Sequence, residues 1–353
     1  MQFEKENPKR PEGKQVQALT EHENRLVVIS GPTASGKSEI AVELARKIGG
    51  EIISADSMQV YRHMDIGSAK ITLEEMMGVP HYMIDVAEPT ENFDVARFAE
   101  EAKAHVRDIQ MRGKVPILCG GTGFYIQAVT RDIDFTESGC DEDYRSELAK
   151  YAATHGNEAL HARLREIDPE SADAIHANNV KRVIRAMEYY HQTGEKISEH
   201  NIRESERPSP YDLHFYVIHC DRQALYDRID RRVDFMMEMG LIDEVMYLKA
   251  MGLTRDMVSM QGLGYKEMLD VLDKKIPYDE GVRILKRDTR HFAKRQLTWF
   301  RREHDARWID RADFEGDSIK IAEYMAETAH RELKVSVKEP DSVYMHPGHS
   351  SHS

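Results

Sequence analysis

One stretch constrains this chain more than any other. Gly31-Pro32-Thr33-Ala34-Ser35-Gly36-Lys37-Ser38 matches G-x-x-x-x-G-K-[ST] at every position. Ahead of it, Leu26-Val27-Val28-Ile29 is a short apolar, β-branched run that predicts a buried strand. Behind it, Ile40, Ala41, Leu44, Ala45 and Ile48 recur at helical spacing until Gly49-Gly50 closes the pattern. A strand, a glycine loop and a helix N-terminus in this order make an anion cradle. Backbone N–H groups point inward, the helix dipole adds positive potential, the Lys37 ammonium caps the phosphates and the Ser38 hydroxyl faces a Mg²⁺ ion. Whose phosphates are held is not written in the loop.

The 353 residues amount to about two domains by length. No apolar run approaches the roughly 20 residues of a membrane span, and Met1-Gln2-Phe3-Glu4-Lys5-Glu6 lacks the apolar core of a signal peptide. Cys119, Cys140 and Cys220 are far apart and form no C-x-x-C pair, which argues against a disulfide framework or a zinc site. A soluble cytoplasmic protein without membrane contact is expected.

The net charge of −13 argues against a polyanionic partner, but the charge is unevenly distributed. Between Arg283 and Arg302 stand Arg283, Lys286, Arg287, Arg290, Lys294, Arg295, Arg301 and Arg302, against the single acid Asp288. Arg222, Arg228, Arg231 and Arg232 form a second cluster, offset by Asp221, Asp227 and Asp230, and Lys181-Arg182-Val183-Ile184-Arg185 forms a third. Most such runs are solvated helix faces; the first is too one-sided for that reading.

The front of the chain alternates strands and helices. Glu51 to Ala55, His81 to Val86 and Lys114 to Cys119 read as strands, and Asp94 to Met111 as a helix with Phe98, Ala102, Val106 and Ile109 on one face. Such alternation predicts an α/β fold, a P-loop NTPase-like parallel sheet flanked by helices, with ligands at the carboxyl ends of the strands. From 134 to 208 the β signal vanishes, and an inserted all-helical subdomain is expected. Leu213 to His219 restores one strand. A helical C-terminal part follows, over Gln223 to Met239, Leu241 to Met251, Tyr265 to Lys274 and Asp279 to about Glu303. The expected core is thus 25–133 plus 209–335. The arm 1–24 and the tail 336–353, with His346, His349 and His352, have the polar composition of disordered ends.

Two segments follow predicted strands and belong beside the cradle. Asp56-Ser57-Met58-Gln59-Val60-Tyr61 opens with a carboxylate, which can hold Mg²⁺ through water, take a proton from a nucleophile, or merely cap the next helix. Gly120-Gly121-Thr122-Gly123-Phe124-Tyr125 combines glycines, which let backbone approach a ligand, with the Thr122 hydroxyl; a plain strand-to-helix turn is the bland alternative. These residues support a Mg²⁺-dependent enzyme acting on a phosphorylated small molecule. Both a small-molecule or nucleotide kinase and an enzyme with a diphosphate leaving group fit.

The same segments, taken with Met64-Asp65-Ile66-Gly67-Ser68-Ala69-Lys70, Asn179 to Ala186, Gln261-Gly262-Leu263-Gly264-Tyr265 and the run Thr289 to Arg301, occur in an order that closely resembles the tRNA dimethylallyltransferases (isopentenyl-tRNA transferases), from about Arg25 to about Asp310. The phosphate loop is shared with countless NTPases; the combination, above all the late Arg/Lys/Trp run, is specific.

The resemblance implies transfer of the dimethylallyl group of dimethylallyl diphosphate to N6 of adenosine 37, next to the anticodon, in tRNAs reading codons that begin with U. It implies Gly31 to Ser38 around diphosphate, with Lys37 catalytic, Ser38 on Mg²⁺, and Arg232, or its neighbours Arg228 and Arg231, reaching the diphosphate. It further implies Asp56 as the base that takes the amine proton and Thr122 on the adenine. Ser57, Met58, Gln59, Arg145, Lys181, Arg182, Val183, Ile184 and Arg185 are implied contacts to tRNA, and the basic helix with Lys294 and Arg295 a clamp on the anticodon stem-loop. Ser38 stands where Thr is commoner, with the same hydroxyl, and no C₂H₂ finger follows the core, which suggests a bacterial-type enzyme, expected to be a monomer. Two rivals stay open. One is a kinase with Arg163, Arg165 and Arg182 as an ATP lid; the other is a non-catalytic RNA binder, which would have no use for Lys37, Ser38, Asp56 and Thr122.

Overall fold

The computed structural model describes residues 24–133 and 141–333; the expected arm, the tail and Cys140 lie outside them. Strand β1 (Arg25–Ser30) runs into the glycine loop and helix α1 (Lys37–Ile48). Then come β2 (Gly50–Ser54), β3 (His81–Tyr82), α2 (Val95–Met111), β4 (Val115–Gly120) and α3 (Gly123–Thr130). Five helices follow without a strand: α4 (Glu142–His155), α5 (Asn157–Ile167), α6 (Pro169–Ala174), α7 (Val180–Thr193) and α8 (Ile197–Glu206). The chain returns through β5 (Asp212–His219), α9 (Arg222–Glu238), α10 (Leu241–Ala250), α11 (Tyr265–Leu272) and α12 (Tyr278–Phe300), and ends with β6 (Ala306–Asp310) and α13 (Ser318–Leu333).

All six strands are parallel, in the order β3-β2-β4-β1-β5-β6. Alternation along each strand sends successive side chains to opposite faces. Val27 and Ile29 of β1 pack with Ile40, Leu44 and Ile48 of α1 and Ile321, Met325 and Ala329 of α13. Leu26 and Val28 face the other layer, with Phe98 and Val106 of α2, Ile126 of α3 and Phe300 of α12. The five intervening helices carry their own apolar cluster, with Leu148, Leu160, Leu164, Val183 and Met187. Among the described residues no helix is long and apolar enough to cross a membrane.

Three elements differ from expectation. The strand expected over His81 to Val86 stops at Tyr82, because Met83 and Asp85 take left-handed φ of 62° and 55°. Lys70 Nζ fixes that bend, donating to Asp85 at 2.6 Å as well as to Asp65. β6 is an additional edge strand whose only buried residue is Ile309, so it has no apolar run to announce it. α13 is additional too, although Ile321, Met325 and Ala329 recur at helical spacing.

At the amino end of β2, away from the loops that follow the strands, Glu51 is 1% exposed. Both its oxygens are bonded to Arg112 at 2.7 Å, and Lys114 and Tyr82 also donate to it. Arg112 outweighs the opposing effect of burial and, with Lys114 and Tyr82, holds this carboxyl at about 2. A depressed folded-state pKa gives stability that is full above the ordinary value near 4.5 and fades as pH falls toward 2. The wild type is expected to lose on the order of 2–3 kcal/mol through this group between pH 5 and 2. In Glu51→Gln that part of the acid limb should flatten in urea titrations across the range; parallel limbs would contradict it.

Candidate active site

Consecutive parallel strands in this order place the loops after β1, β2 and β4 side by side at the carboxyl edge of the sheet, where open α/β sheets bind ligands. In the glycine loop, Gly36 has φ 86° and serves as the uncapped N-cap of α1. A side chain there would be strained, and its first carbon would sit 2.5 Å from the guanidinium of Arg311. Arg228 Nε donates to the Ala34 carbonyl at 2.7 Å and Arg311 Nη1 to the Ser35 carbonyl at 3.2 Å. These two arginines hold the loop from outside by its carbonyls and leave the N–H groups of the first helical turn free for an anion. Ser35 Oγ is buried in the loop with no hydrogen-bond partner among the described residues, a polar atom that a bound anion or its water would satisfy.

Burial pushes the Lys37 ammonium pKa below its ordinary value, and Arg232 adds to the fall while Cys119 and Asp56 oppose it. Burial likewise lowers Arg232, against the pull of Asp56 and Glu75. Two cations whose charged forms burial disfavours despite Asp56 between them make a site short of negative charge, the electrostatic mark of an anion pocket. Of the three candidate arginines on α9, Arg232 therefore faces the pocket. Arg228 braces the loop, and exposed Arg231 donates to Asp227 in its own helix.

After β2, Asp56 Oδ1 accepts from the Met58 amide at 2.9 Å in a tight turn, and no helix follows. The helix-capping alternative is thereby removed. Oδ2 has no hydrogen bond among the described residues. After β4, the Thr122 amide donates to the Ala55 carbonyl at 3.2 Å, and Thr122 Oγ1 accepts from the Ser57 amide at 3.1 Å. The carboxylate and the threonine hydroxyl are thus locked to each other through backbone. The glycines of this turn make room for protein instead of ligand: an added carbon at Gly121 would sit 2.2 Å from the Gln296 amide, and one at Gly123 would sit 2.2 Å from the Trp299 ring.

Several expected RNA contacts are placed by the fold in other company. Gln59 spends its amide on Ser54 at 3.1 Å and the Ala69 carbonyl at 3.2 Å, and Met58 packs its methyl against Gly262. Val183 and Ile184 are core residues of the five-helix unit, on the apolar stripe of α7, so in that run the outward side chains are Lys181 and Arg182. Arg145 and Arg185 both bond the fully buried Glu188, Arg145 Nε at 2.8 Å and Arg185 Nη1 at 2.8 Å. Burial would raise that carboxyl; Arg145, the Asp141 amide and Arg185 more than reverse it.

On α12 the basic run divides in two. Arg283, Lys286, Arg287 and Arg290 are paired with Glu280, Asp234, Asp288 and Asp230. Lys294, Arg295, Arg301 and Arg302 are exposed and have no ion pair among the described residues. Positive field therefore comes from the last third of the helix, the part beside Thr122, and from the two arginines that follow it. Of the three arginines expected of an ATP lid, two are engaged elsewhere, Arg163 lying 3.9 Å over the Tyr151 ring and Arg165 bonding Asp173 at 2.6 Å, while Arg182 is exposed.

Sequence reasoning missed Gln296, Arg228 as a brace, and Arg311. Gln296 carried a signal, since it falls on the stripe Ala293, Gln296, Phe300, where a buried amide among apolar residues requires partners. Arg311 carried none, for its role depends on β6 bringing it back to the loop.

The model of the IPP transferase (IPPT) family matches residues 59–303. A tRNA dimethylallyltransferase of Lachnoclostridium phytofermentans is 53% identical over 308 residues, covering 87% of this chain and 98% of that protein. One from Bacillus cereus (strain AH187) is 50% identical over 294 residues, 83% of this chain and 92% of its own. Among solved structures, the full-length tRNA isopentenylpyrophosphate transferase of Bacillus halodurans is similar with a TM-score of 0.66 at 46% identity, over 88% of this chain and 98% of that one. A eukaryotic dimethylallyltransferase acting on tRNA reaches a TM-score of 0.75 at 28% identity, over 90% and 81%. With a matching family model across most of its length and relatives at half identity, this chain belongs to the IPP transferase family, that of the tRNA dimethylallyltransferases.

Proposed function

We propose that this protein moves the dimethylallyl group of dimethylallyl diphosphate onto N6 of adenosine 37 in tRNAs reading codons that begin with U, releasing diphosphate in the cytoplasm and acting as a monomer. The observation that carries the reading is the meeting of half-buried Lys37 and Arg232 with Asp56 at the carboxyl edge of the sheet. The names of the relatives support the donor and the acceptor class.

The glycine loop grips a leaving group. As the allylic C–O bond ionises, negative charge grows on the diphosphate, and Lys37, Arg232 and the free amides of the first turn of α1 stabilise it more than they do the ground state. The adenine amine is a weak nucleophile, its lone pair delocalised into the ring. Asp56 Oδ2 is the acceptor for its proton as the N6–C bond forms, and the Thr122 hydroxyl orients the base. A Mg²⁺ ion fits here: the Ser38 hydroxyl is exposed in the first turn of α1 and would hold it, together with diphosphate oxygens and water. When bound, it adds positive charge at the departing diphosphate.

A stacked anticodon-loop base is out of reach, so the adenosine is flipped into the crevice at a cost of a few kcal/mol. Phosphate contacts offset that cost, from Lys294 and Arg295 of α12 with Arg301 and Arg302 just after it on one side, and Lys181 and Arg182 of α7 on the other. Replacing both Lys294 and Arg295 by alanine should reduce the slope of log affinity for tRNA against log salt by about 1.5. An unchanged slope would remove α12 from the interface. The reading itself is tested with two otherwise identical unmodified transcripts, one with adenosine and one with guanosine at position 37. Only the first should acquire a five-carbon group; equal labelling, or none, would refute it.

A further inference from the structure

Gln296 is 7% exposed, on the inner face of α12. Its Oε1 accepts from the Thr33 amide of the glycine loop at 2.8 Å, and its Nε2 donates to the Gly121 carbonyl, one residue before Thr122, at 2.9 Å. A single planar amide thus spans the two loops that the proposed reaction must hold at a fixed distance. Nearly one turn on, Trp299 lies against Gly123, so α12 grips the Thr122 turn from two sides. The exposed neighbours of Gln296 on the same helix are Lys294 and Arg295, which have no acidic partner among the described residues. A shift of α12 along its axis would therefore be felt at both loops.

We propose that Gln296 is a positioning residue that sets the separation between the diphosphate loop and the adenine-side turn, and so couples RNA engagement by α12 to donor binding in the glycine loop. This rests on the transferase reading above. Each hydrogen bond has a distinct task. The one to Thr33 removes that N–H from the anion pocket and fixes the start of the loop. The one to Gly121 fixes the backbone from which Thr122 bonds Ser57, next to Asp56. A buried amide with both ends satisfied tolerates little displacement, because losing either bond strands a desolvated partner.

The test measures coupling in binding, with the full-length protein, dimethylallyl thiodiphosphate as unreactive donor and a synthetic anticodon stem-loop. Donor affinity is read by calorimetry with and without the RNA, for wild type and Gln296→Met. In the wild type the RNA should tighten the donor at least ~5-fold, and in Gln296→Met by no more than about twofold, with affinity for the RNA alone nearly unaltered. Turnover of Gln296→Met should fall about 10-fold or more, the scale of a misplaced reacting pair. Circular dichroism and the thermal midpoint report folding. Should Gln296→Met not fold, Gln296→Glu serves, keeping an acceptor for Thr33 but facing the Gly121 carbonyl with a second acceptor. Wild-type coupling in the folded variant, or none in the wild type, would overturn the proposal, because a residue that only packs lowers the midpoint without moving the coupling. Failure of the transferase reading looks different: the wild type would then add no dimethylallyl group to the RNA at all, whatever it binds.

Discussion

Asp56→Ala is expected to slow dimethylallyl transfer at least ~10²-fold, the usual scale for losing a general base, while tRNA affinity stays close to that of the wild type. The expectation follows from where the carboxylate stands. Its Oδ1 is occupied by the Met58 amide and its Oδ2 is not engaged within the described residues, so one oxygen fixes orientation while the other is left for a proton. The bond from the Ser57 amide to Thr122 is a backbone bond and survives the substitution, so the RNA-facing turn should keep its shape. Single-turnover rates with saturating tRNA isolate the chemical step; a rate within a few-fold of wild type would remove Asp56 from proton transfer.

Lys37→Ala should act on the other half of the reaction. Removing a preorganised cation from a developing oxyanion costs about 10²–10³ in rate, and the Michaelis constant for dimethylallyl diphosphate should rise with it. Burial already disfavours the charged form of Lys37, so the folded protein holds an ammonium in a place that only an anion makes comfortable. For the same reason Lys37→Ala should leave the thermal midpoint unchanged or raise it, since a desolvated cation is lost from the free protein. Donor kinetics matching the wild type would mean that the diphosphate lies elsewhere.

The two halves were not equally legible in sequence. The strand, glycine loop and first helix were, because each is encoded locally: β-branched residues, a residue at positive φ, and an apolar 3.6-residue repeat from Ile40 to Ile48. Asp56 and Thr122 were legible as positions after strands, since a parallel sheet brings such positions together. What stayed hidden depends on residues far apart in the chain. Gly121 and Gly123 suggested room for a ligand; the room belongs to Gln296 and Trp299, 175 or so residues away. Val183 and Ile184 lie inside a basic run, yet the helical stripe they complete is apolar, and burial there decides their surroundings. The run from Arg283 to Arg302 looked like one positive surface. Acids on α9, and on α12 itself, cancel its first half, and only the folded chain separates the neutralised cations from the unpaired ones.

The central claim is that the glycine-lysine loop serves a departing diphosphate and not a nucleoside triphosphate. It is tested most directly by following both products at once, with purified protein, Mg²⁺, an unmodified tRNA transcript, dimethylallyl diphosphate and ATP together. Diphosphate should appear in step with N6-(dimethylallyl)adenosine, one for one, with ATP untouched. Consumption of ATP, with unmodified nucleosides recovered from the RNA, would contradict it.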